Sequence, residues 1–334
     1  MSSWLDLYNL AGRVRKMAPW DWMDEIDIFG VQAHPGRDPF FISVMGAGGE
    51  HFAMAMYPDI GALSQLWALR EVQYVEPEMV LEIPQTQLSF EDREYLQEDD
   101  RNLLKRLGLK FKGAKAWPQF RTYRGGFSPW LPSLEELEPF RVALEQSLEV
   151  APRLQEHPEL IHPEDPASYL VRTADPNGKW RDEFRKIQLT PIRRVRSMPD
   201  AGQVRRGRAM PKGEGRLEVD FFMIPTPVLT GKEHTFYPYV LLLVESKQGL
   251  VVGQQLLSVE TTVDDMLHRV PEGLLAQFER IGNRPSTLVV RPGRMENLLR
   301  PWCESLGIKL MVHEHLQHLD EAKQGLIEFL STGG

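Results

Sequence analysis

Four residues near the C-terminal end of the sequence carry side chains that could hold a metal ion: His313, Glu314, His315 and His318. A neutral imidazole is a good zinc ligand, and His315 and His318, three residues apart, would share one face of a helix. The chain has no HExxH pattern, which is typical of zinc hydrolases. We therefore expect a polar loop that leads into the last helix, with His315 and His318 as metal ligands in the alternative interpretation.

A second stretch with chemical potential is strongly basic. Residues 181–216 hold eleven Lys and Arg against four Asp and Glu, a charge of +7 in a chain whose formal net charge is −8. A phosphate backbone could use such a segment. The candidate contacts for nucleic acid or another anionic partner are Arg193, Arg194, Arg196, Arg205, Arg206 and Arg208. The alternative is a solvated linker that pairs with the acidic surface of its own protein.

Other reaction chemistries have no signal in the sequence. There is no G-x-S-x-G elbow of a serine hydrolase, and no Walker-type or G-x-G-x-x-G loop opens a helix. The glycine-rich stretch 46–49 is followed by a strand pattern, which predicts a hairpin and not a phosphate loop. Cys303 is the single cysteine, which excludes an internal disulfide and a cysteine-based zinc site. We predict no cofactor.

The composition is typical of a globular protein with more than one domain. The 334 residues are 42% hydrophobic and 26% charged, which is usual for a folded chain, and a domain size of roughly 150 residues suggests two domains. The longest aliphatic run, 240–244, is too short to span a bilayer. Residues 1–17 mix charges into their apolar positions and so lack a signal-peptide core. We expect a cytoplasmic protein without membrane contact.

Hydrophobic periodicity predicts an α/β fold in three parts. Residues 1–150 should form an α+β domain, and residues 151–216 should combine a proline-containing linker, a hairpin and the basic segment. Residues 217–334 should form a domain with the element order β-β-β-α-β-α-β-α, which implies a mixed sheet. Within the first part, 79–83 is predicted as a strand and 89–107 as a helix capped by Ser89. Ser133 and Glu136 have the spacing of a capping box that begins a helix to about Val150, and Pro271 should split the helix predicted over 261–281 in two. A similar element order in the N-terminal half leaves open a second, diverged copy of the same fold.

The C-terminal part resembles the ribonuclease H-like architecture of integrases and transposases. LEVDFFMIP (217–225) is similar to the first strand of an integrase, and YVLLLVESKQGLVVGQQLL (239–257) is similar to the hairpin that follows it. PSTLVVRPGRMENLLRPWCESLGIKL (285–310) is similar to the fourth strand, its helix and the fifth strand. The resemblance implies a mixed sheet of five strands.

Integrase-type enzymes cluster acidic residues around two divalent metal ions, usually magnesium. By the resemblance, Asp220 would be the first acid and Glu328, on the last helix, the third, while Glu245 lies on the second strand. The second acid should end the fourth strand, where this chain has Arg291. A guanidinium cannot ligate a metal and pairs with a carboxylate instead. The resemblance therefore implies the fold without the full acidic site.

The chain also resembles a bacterial family of domains of unknown function, through PWDWMDEIDIFGV (19–31), QFRTYRGGFSPW (119–130) and EVDFFMIPTPV (218–228). We predict a non-catalytic binding or interaction module on a degenerate ribonuclease H-like scaffold. The alternative is a metal-dependent nucleic-acid processing enzyme that uses Mg²⁺ and a rearranged site of Asp220, Glu245 and Glu328. A third hypothesis is a protein that binds nucleic acid through 181–216 without chemistry.

Overall fold

The computed structural model describes residues 2–72, 77–161, 165, 167–191, 195–228 and 234–332. The chain divides into two compact units, one of Met1–Arg124 with Pro129–Ile192 and one of Gly125–Ser128 with Arg193–Gly334. Each unit contains one sheet with both parallel and antiparallel strand pairs, and helices accompany each sheet. The predicted α/β fold class is confirmed.

A seven-stranded sheet with the order β5-β4-β3-β2-β1-β6-β7 forms the centre of the first unit. Neighbouring strands are antiparallel except β1 and β6, which are parallel. The strands are β1 (Phe29–Gln32), β2 (Phe40–Met45), β3 (Ala53–Tyr57), β4 (Gln85–Glu91), β5 (Trp117–Tyr123), β6 (Ser168–Ala174) and β7 (Trp180–Lys186). The helices are α1 (Ser2–Met17), α2 (Ile60–Leu69), α3 (Pro77–Leu81), α4 (Glu98–Leu107) and α5 (Leu134–Glu156).

Alternation along the strands separates two apolar layers in this unit. Phe40 and Ile42 of β2 belong to the larger cluster, which includes buried residues of α1 and α5, whereas Phe41 belongs to a second cluster with α2. α5 begins at Ser133, whose hydroxyl accepts from the Glu136 amide at 3.2 Å while the Glu136 carboxylate accepts from the Ser133 amide at 2.7 Å. This capping box satisfies two amides that the helix itself leaves unpaired.

The second unit contains a five-stranded sheet with the order β10-β9-β8-β11-β12. β8, β9 and β10 form an antiparallel meander, and β11 runs parallel to both β8 and β12. The strands are β8 (Arg216–Met223), β9 (Tyr239–Glu245), β10 (Val251–Leu257), β11 (Thr287–Val290) and β12 (Lys309–Val312). The helices are α6 (Ala201–Ala209), α7 (Val263–Leu267), α8 (Val270–Ile281), α9 (Arg294–Leu306) and α10 (Gln317–Thr332). From β8 onward this is the predicted order, with α7 and α8 in place of one helix.

The last helix covers one face of this sheet. Leu319 in the first turn of α10 and Leu316 just before it are buried in one cluster with Phe222 of β8 and with Val240 and Leu242 of β9. Asp220, two residues before Phe222 on β8, therefore points to the same face of the sheet, which α10 covers.

Several local predictions are wrong. The segment 79–83, predicted as a strand, contains the end of α3, and the helix predicted over 89–107 is the end of β4 followed by α4. The basic segment holds a helix, α6, where a connection was expected. The residues of the intermediate segment 151–216 lie in both units, because β6 and β7 join the first sheet and α6 belongs to the second unit.

The two sheets share a core of four strands, since β3-β2-β1-β6 and β10-β9-β8-β11 each join an antiparallel meander to a parallel neighbour of its first strand. Beyond this core they differ, because β7 is antiparallel to β6 whereas β12 is parallel to β11, and the first sheet adds β4 and β5. A second, diverged copy of one fold therefore stays a prediction. None of the helices in the described part of the chain is long and apolar enough to cross a membrane.

Candidate functional site

Asp220 lies inside the second unit, on the central strand β8. Its side chain is 8% exposed, and it shares a face of β8 with Phe222, which packs beneath α10. Its Oδ1 accepts a hydrogen bond from the Phe221 amide at 2.9 Å. A carboxylate at this depth is costly unless positive or hydrogen-bonding groups face it.

The guanidinium of Arg291 supplies that positive charge. Its Nε donates to Oδ2 of Asp220 at 3.4 Å, its Nη2 pairs with Oδ1 of Asp320 on α10, and its Nη1 donates to the Glu314 carbonyl at 3.4 Å. Parallel pairing of β8 with β11 places Val289 beside Glu218, so that Arg291, two residues on, comes beside Asp220. One arginine therefore joins the central strand to the last helix.

A second buried acid of β8 also acts on α10. Glu218 is 8% exposed, and its Oε2 accepts a hydrogen bond from the Leu319 amide at 2.9 Å. The first turn of a helix has amides without intrahelical partners and a partial positive charge. Glu218 therefore stabilises the start of α10. Sequence reasoning missed both Glu218 and Asp320, although alternation with Asp220 on β8 would have placed Glu218 on the same face.

The two other candidate acids have separate structural surroundings. Glu245, at the end of β9, accepts hydrogen bonds from the amides of Lys247 and Gln248 at 2.9 and 2.6 Å, and so shapes the β9–β10 turn. β9 pairs Glu245 with Leu217, three residues before Asp220, which is about 10 Å along a strand. Glu328 is exposed near the end of α10 and accepts from the Gln324 amide group at 2.8 Å.

Asp320 and Glu328 are eight residues apart on α10, about 12 Å at helical rise. Among the residues that the structure describes, no group of three His, Cys, Asp or Glu side chains is arranged to hold a metal ion. His315 is exposed, and Nδ1 of His318 lies 3.9 Å from Oε2 of Glu321. The structure therefore joins Asp220 to Arg291 and Asp320, and among the described residues it does not form a metal site from the predicted histidines or from Glu245 and Glu328.

The basic segment is partly neutralised by its own unit. Arg206 pairs with Glu272 and, at 3.6 Å, with Glu279, and the hydrogen bond to Glu272 raises the pKa of the Arg206 guanidinium. The Nε of Arg208 donates to the Ser305 carbonyl at 2.9 Å. These contacts hold α6 against α8 and α9.

The structure describes only some of the other arginines of the basic segment that were predicted to contact nucleic acid. Arg196 and Arg205 are exposed to solvent. Arg193 and Arg194 lie outside the described residues. In the first unit, Arg181 and Arg185 of β7 both pair with Glu183, at 2.7 and 2.5 Å.

Comparison with known proteins identifies two family models. One, described as a domain of unknown function (DUF7309), matches residues 4–172, and a second, described as a domain of unknown function (DUF6930), matches residues 203–327. No curated protein sequence matches the chain.

Solved structures with similarity to the chain include two of retroviral origin. The catalytic core domain of BIV integrase is 16% identical, with a TM-score of 0.25 over 36% of this chain and 71% of that one. A chain of the simian T-cell lymphotropic virus intasome in complex with PP2A regulatory subunit B56 gamma is also 16% identical, with a TM-score of 0.26 over 41% of this chain and 48% of that one.

Proposed function

We propose that this chain, which belongs to the family of the domain of unknown function DUF7309, is a non-catalytic binding module, because an arginine lies beside the central acid of its second sheet. The second unit would be a degenerate ribonuclease H-like scaffold that serves recognition and not hydrolysis. The observation that carries the proposal is the contact of Arg291 with both Asp220 and Asp320.

Electrostatics supports this proposal. A two-metal hydrolase needs carboxylates that converge on two divalent cations about 4 Å apart. Here the positive charge beside Asp220 is a guanidinium that also bonds to Asp320 and to the Glu314 carbonyl. A divalent ion at Asp220 would meet the repulsion of this cation and would have to break its three contacts.

Burial supports it as well. The side chains of Asp220 and Arg291 are 8% and 20% exposed, so neither charge is fully hydrated. Removing one partner from a buried pair leaves the other charge uncompensated, which is strongly unfavourable. The pair is therefore a structural connection between β8, the end of β11 and α10.

The direct test is hydrolysis. Purified full-length protein is incubated with labelled single- and double-stranded DNA and RNA, in Mg²⁺ or in Mn²⁺, beside Asp220→Asn purified in the same way. We expect no cleavage above the level of Asp220→Asn. Cleavage by the wild type that disappears in Asp220→Asn would overturn the proposal and favour the metal-dependent enzyme, which should also fail in Glu245→Gln and Glu328→Gln.

A gain-of-binding variant tests the same reasoning from the other side. Arg291→Asp would put three carboxylates at this position in place of two carboxylates and a guanidinium. We expect calorimetric titration with Mn²⁺ to show binding to Arg291→Asp and none to the wild type. Arg300→Asp, on an exposed face of α9, is the matched control and should not bind. Equal Mn²⁺ binding by the wild type and Arg291→Asp would contradict the role assigned to Arg291.

A further inference from the structure

Three strands of the second sheet begin side by side at one end of the sheet. Arg216 at the start of β8, Thr287 at the start of β11 and Lys309 at the start of β12 are paired in register, because β11 is parallel to both of its neighbours. Side chains at one register of neighbouring strands point to the same face of a sheet. Arg216 and Lys309 are both exposed and lie two strand spacings apart, which is about 10 Å. Two exposed cations therefore stand in one row across the end of the sheet.

Three more cations come to the same end of the second unit. Lys212 and Arg284 are partners in a β-bridge that precedes the pairing of β8 with β11. The guanidinium of Arg284 donates to the Leu306 carbonyl, and that of Arg208 donates to the Ser305 carbonyl at 2.9 Å. Both arginines therefore lie against the last turn of α9, just before β12 begins. We refer to five residues together as the basic end: Arg208, Lys212, Arg216, Arg284 and Lys309.

The charge of the basic end is not balanced by ion pairs. Three other arginines of this unit, on α6, at the start of α8 and on α9, each pair with a glutamate. Among the described residues, by contrast, none of the five side chains of the basic end pairs with a carboxylate. The segments that carry them, 208–216, 283–287 and 304–309, contain only two acids, Glu214 and Glu304. The basic end therefore has an excess of positive charge in a chain whose formal net charge is −8.

The composition of this surface fits the phosphates of a nucleic-acid duplex better than it fits a protein or a single strand. The three segments contain no aromatic residue, and none of the large hydrophobic side chains exposed on the described part of the chain lies in them. Protein–protein interfaces are centred on apolar and aromatic side chains, and single strands are bound by stacking on aromatic rings. Interfaces with a duplex are instead polar and positive, and arginine, lysine and threonine contact its phosphates without reading the bases.

We propose that the basic end binds the phosphate backbone of a nucleic-acid duplex, without preference for its sequence. The distance between the strand starts that carry Arg216 and Lys309 equals the axial rise of about three phosphates along one strand of the duplex. Arg208 and Arg284 also bond to the last carbonyls of α9, which stabilises the end of that helix. The cations that can be removed without loss of structure are therefore Lys212, Arg216 and Lys309.

This surface is separate from the position of Arg291. Asp220, the partner of Arg291, lies four residues after Arg216, which is about 13 Å along β8. The inference names a partner for the proposed binding module, but binding at the basic end would hold equally if the second unit were an enzyme. The hydrolysis test above and the binding test below can therefore fail separately.

Removing three charges tests the proposal. Fluorescence polarisation measures binding of the full-length protein to a labelled duplex of about 20 base pairs, at salt concentrations from about 50 to about 200 mM. At about 100 mM salt, Lys212→Gln/Arg216→Gln/Lys309→Gln should bind at least about 10-fold more weakly than the wild type, and its plot of log Kd against log salt should be shallower by about 3. The matched control Arg269→Gln/Arg300→Gln/Lys323→Gln removes the same charge from elsewhere in the unit and should keep the affinity of the wild type.

The same assay contains the results that would overturn the proposal. A wild type that does not bind the duplex at about 50 mM salt would do so, as would an equal loss of affinity in the two triple variants. Tighter binding of a single strand would contradict the assignment to a duplex, and equal binding of a poly-glutamate peptide would assign the surface to an acidic protein instead. Melting temperatures check the folding of both triple variants. If the first one does not fold, Lys212→Gln and Lys309→Gln decide, each with a slope shallower by about 1.

Discussion

Replacing Arg291 with methionine tests the energetic role of the pair in the second unit. Arg291→Met keeps much of the aliphatic stem and removes the charge next to Asp220. Breaking a fully buried pair costs about 3 to 5 kcal/mol, but Arg291 is 20% exposed and its Nε lies 3.4 Å from Asp220. Asp320 is 46% exposed and adds little, because solvent screens exposed pairs. We expect a loss of about 2 kcal/mol, which is about 4 to 8 °C in melting temperature for a unit of this size.

A double-mutant cycle separates this pairing from a loss of packing. Calorimetry compares the wild type, Arg291→Met, Asp220→Asn and the double variant. Since neutral Asn has no charge to compensate, Arg291→Met should cost about 1 to 2 kcal/mol less in the Asn background. Arg300→Met, which removes an exposed pair with Glu296 on α9, should change stability by no more than about 0.5 kcal/mol. Additive effects of the two substitutions would refute the reasoning.

Three further predictions concern other buried groups. The carboxylate of Asp100 accepts hydrogen bonds from both terminal nitrogens of the buried Arg121 guanidinium. Asp100→Asn would leave that charge uncompensated, so the free energy of unfolding in urea should fall by about 3 kcal/mol. An unchanged urea midpoint would contradict this. Burial raises the pKa of the Cys303 thiol to about 12. A thiol reagent at pH 8 should therefore label Cys303 about 100-fold faster in guanidinium than in the native protein. Equal labelling rates would contradict this prediction. The φ of Gly126 is +81°, and a Cβ there would lie 2.1 Å from Cγ2 of Val259. Gly126→Ala should therefore lower the free energy of unfolding by about 2 kcal/mol, measured by thermal unfolding. A variant with wild-type stability would show that the backbone there moves freely.

Elements with local signals are the ones that sequence reasoning placed well. The split at Pro271 is observed, since α7 ends at Leu267 and α8 starts at Val270 with the proline in its first turn. The capping box of Ser133 and Glu136 likewise begins α5 where it was predicted. Proline geometry and capping act within a few residues, so the sequence alone contains the necessary information.

β4 shows why the rest was harder. Ser89 and Asp92 have the spacing of a helix cap, yet Ser89 lies inside β4 and pairs with Ala53 of β3 and Gln119 of β5. Polar residues of this strand, Gln85, Thr86, Gln87 and Ser89, are buried between its neighbours. Because polar residues occupy buried positions of this strand, its sequence lacks the alternation of apolar and polar residues that identifies a strand. Pairing with two distant strands determined the structure here, and no local pattern reports it.

The site shows the same division between local and distant information. The resemblance to integrases implied that Arg291 ends the fourth strand, and the parallel register of β8 and β11 brings it beside Asp220. Asp320 was not found, because its contact depends on the rotation of α10 about its axis, which is determined by apolar packing of Leu316 and Leu319. Once that packing is known, Arg291 has acids from both β8 and α10 around it. Arg291, at the end of β11, thus gives the position between the carboxylates of Asp220 and Asp320 an internal cation, and this arrangement is the reason why we propose binding without hydrolysis.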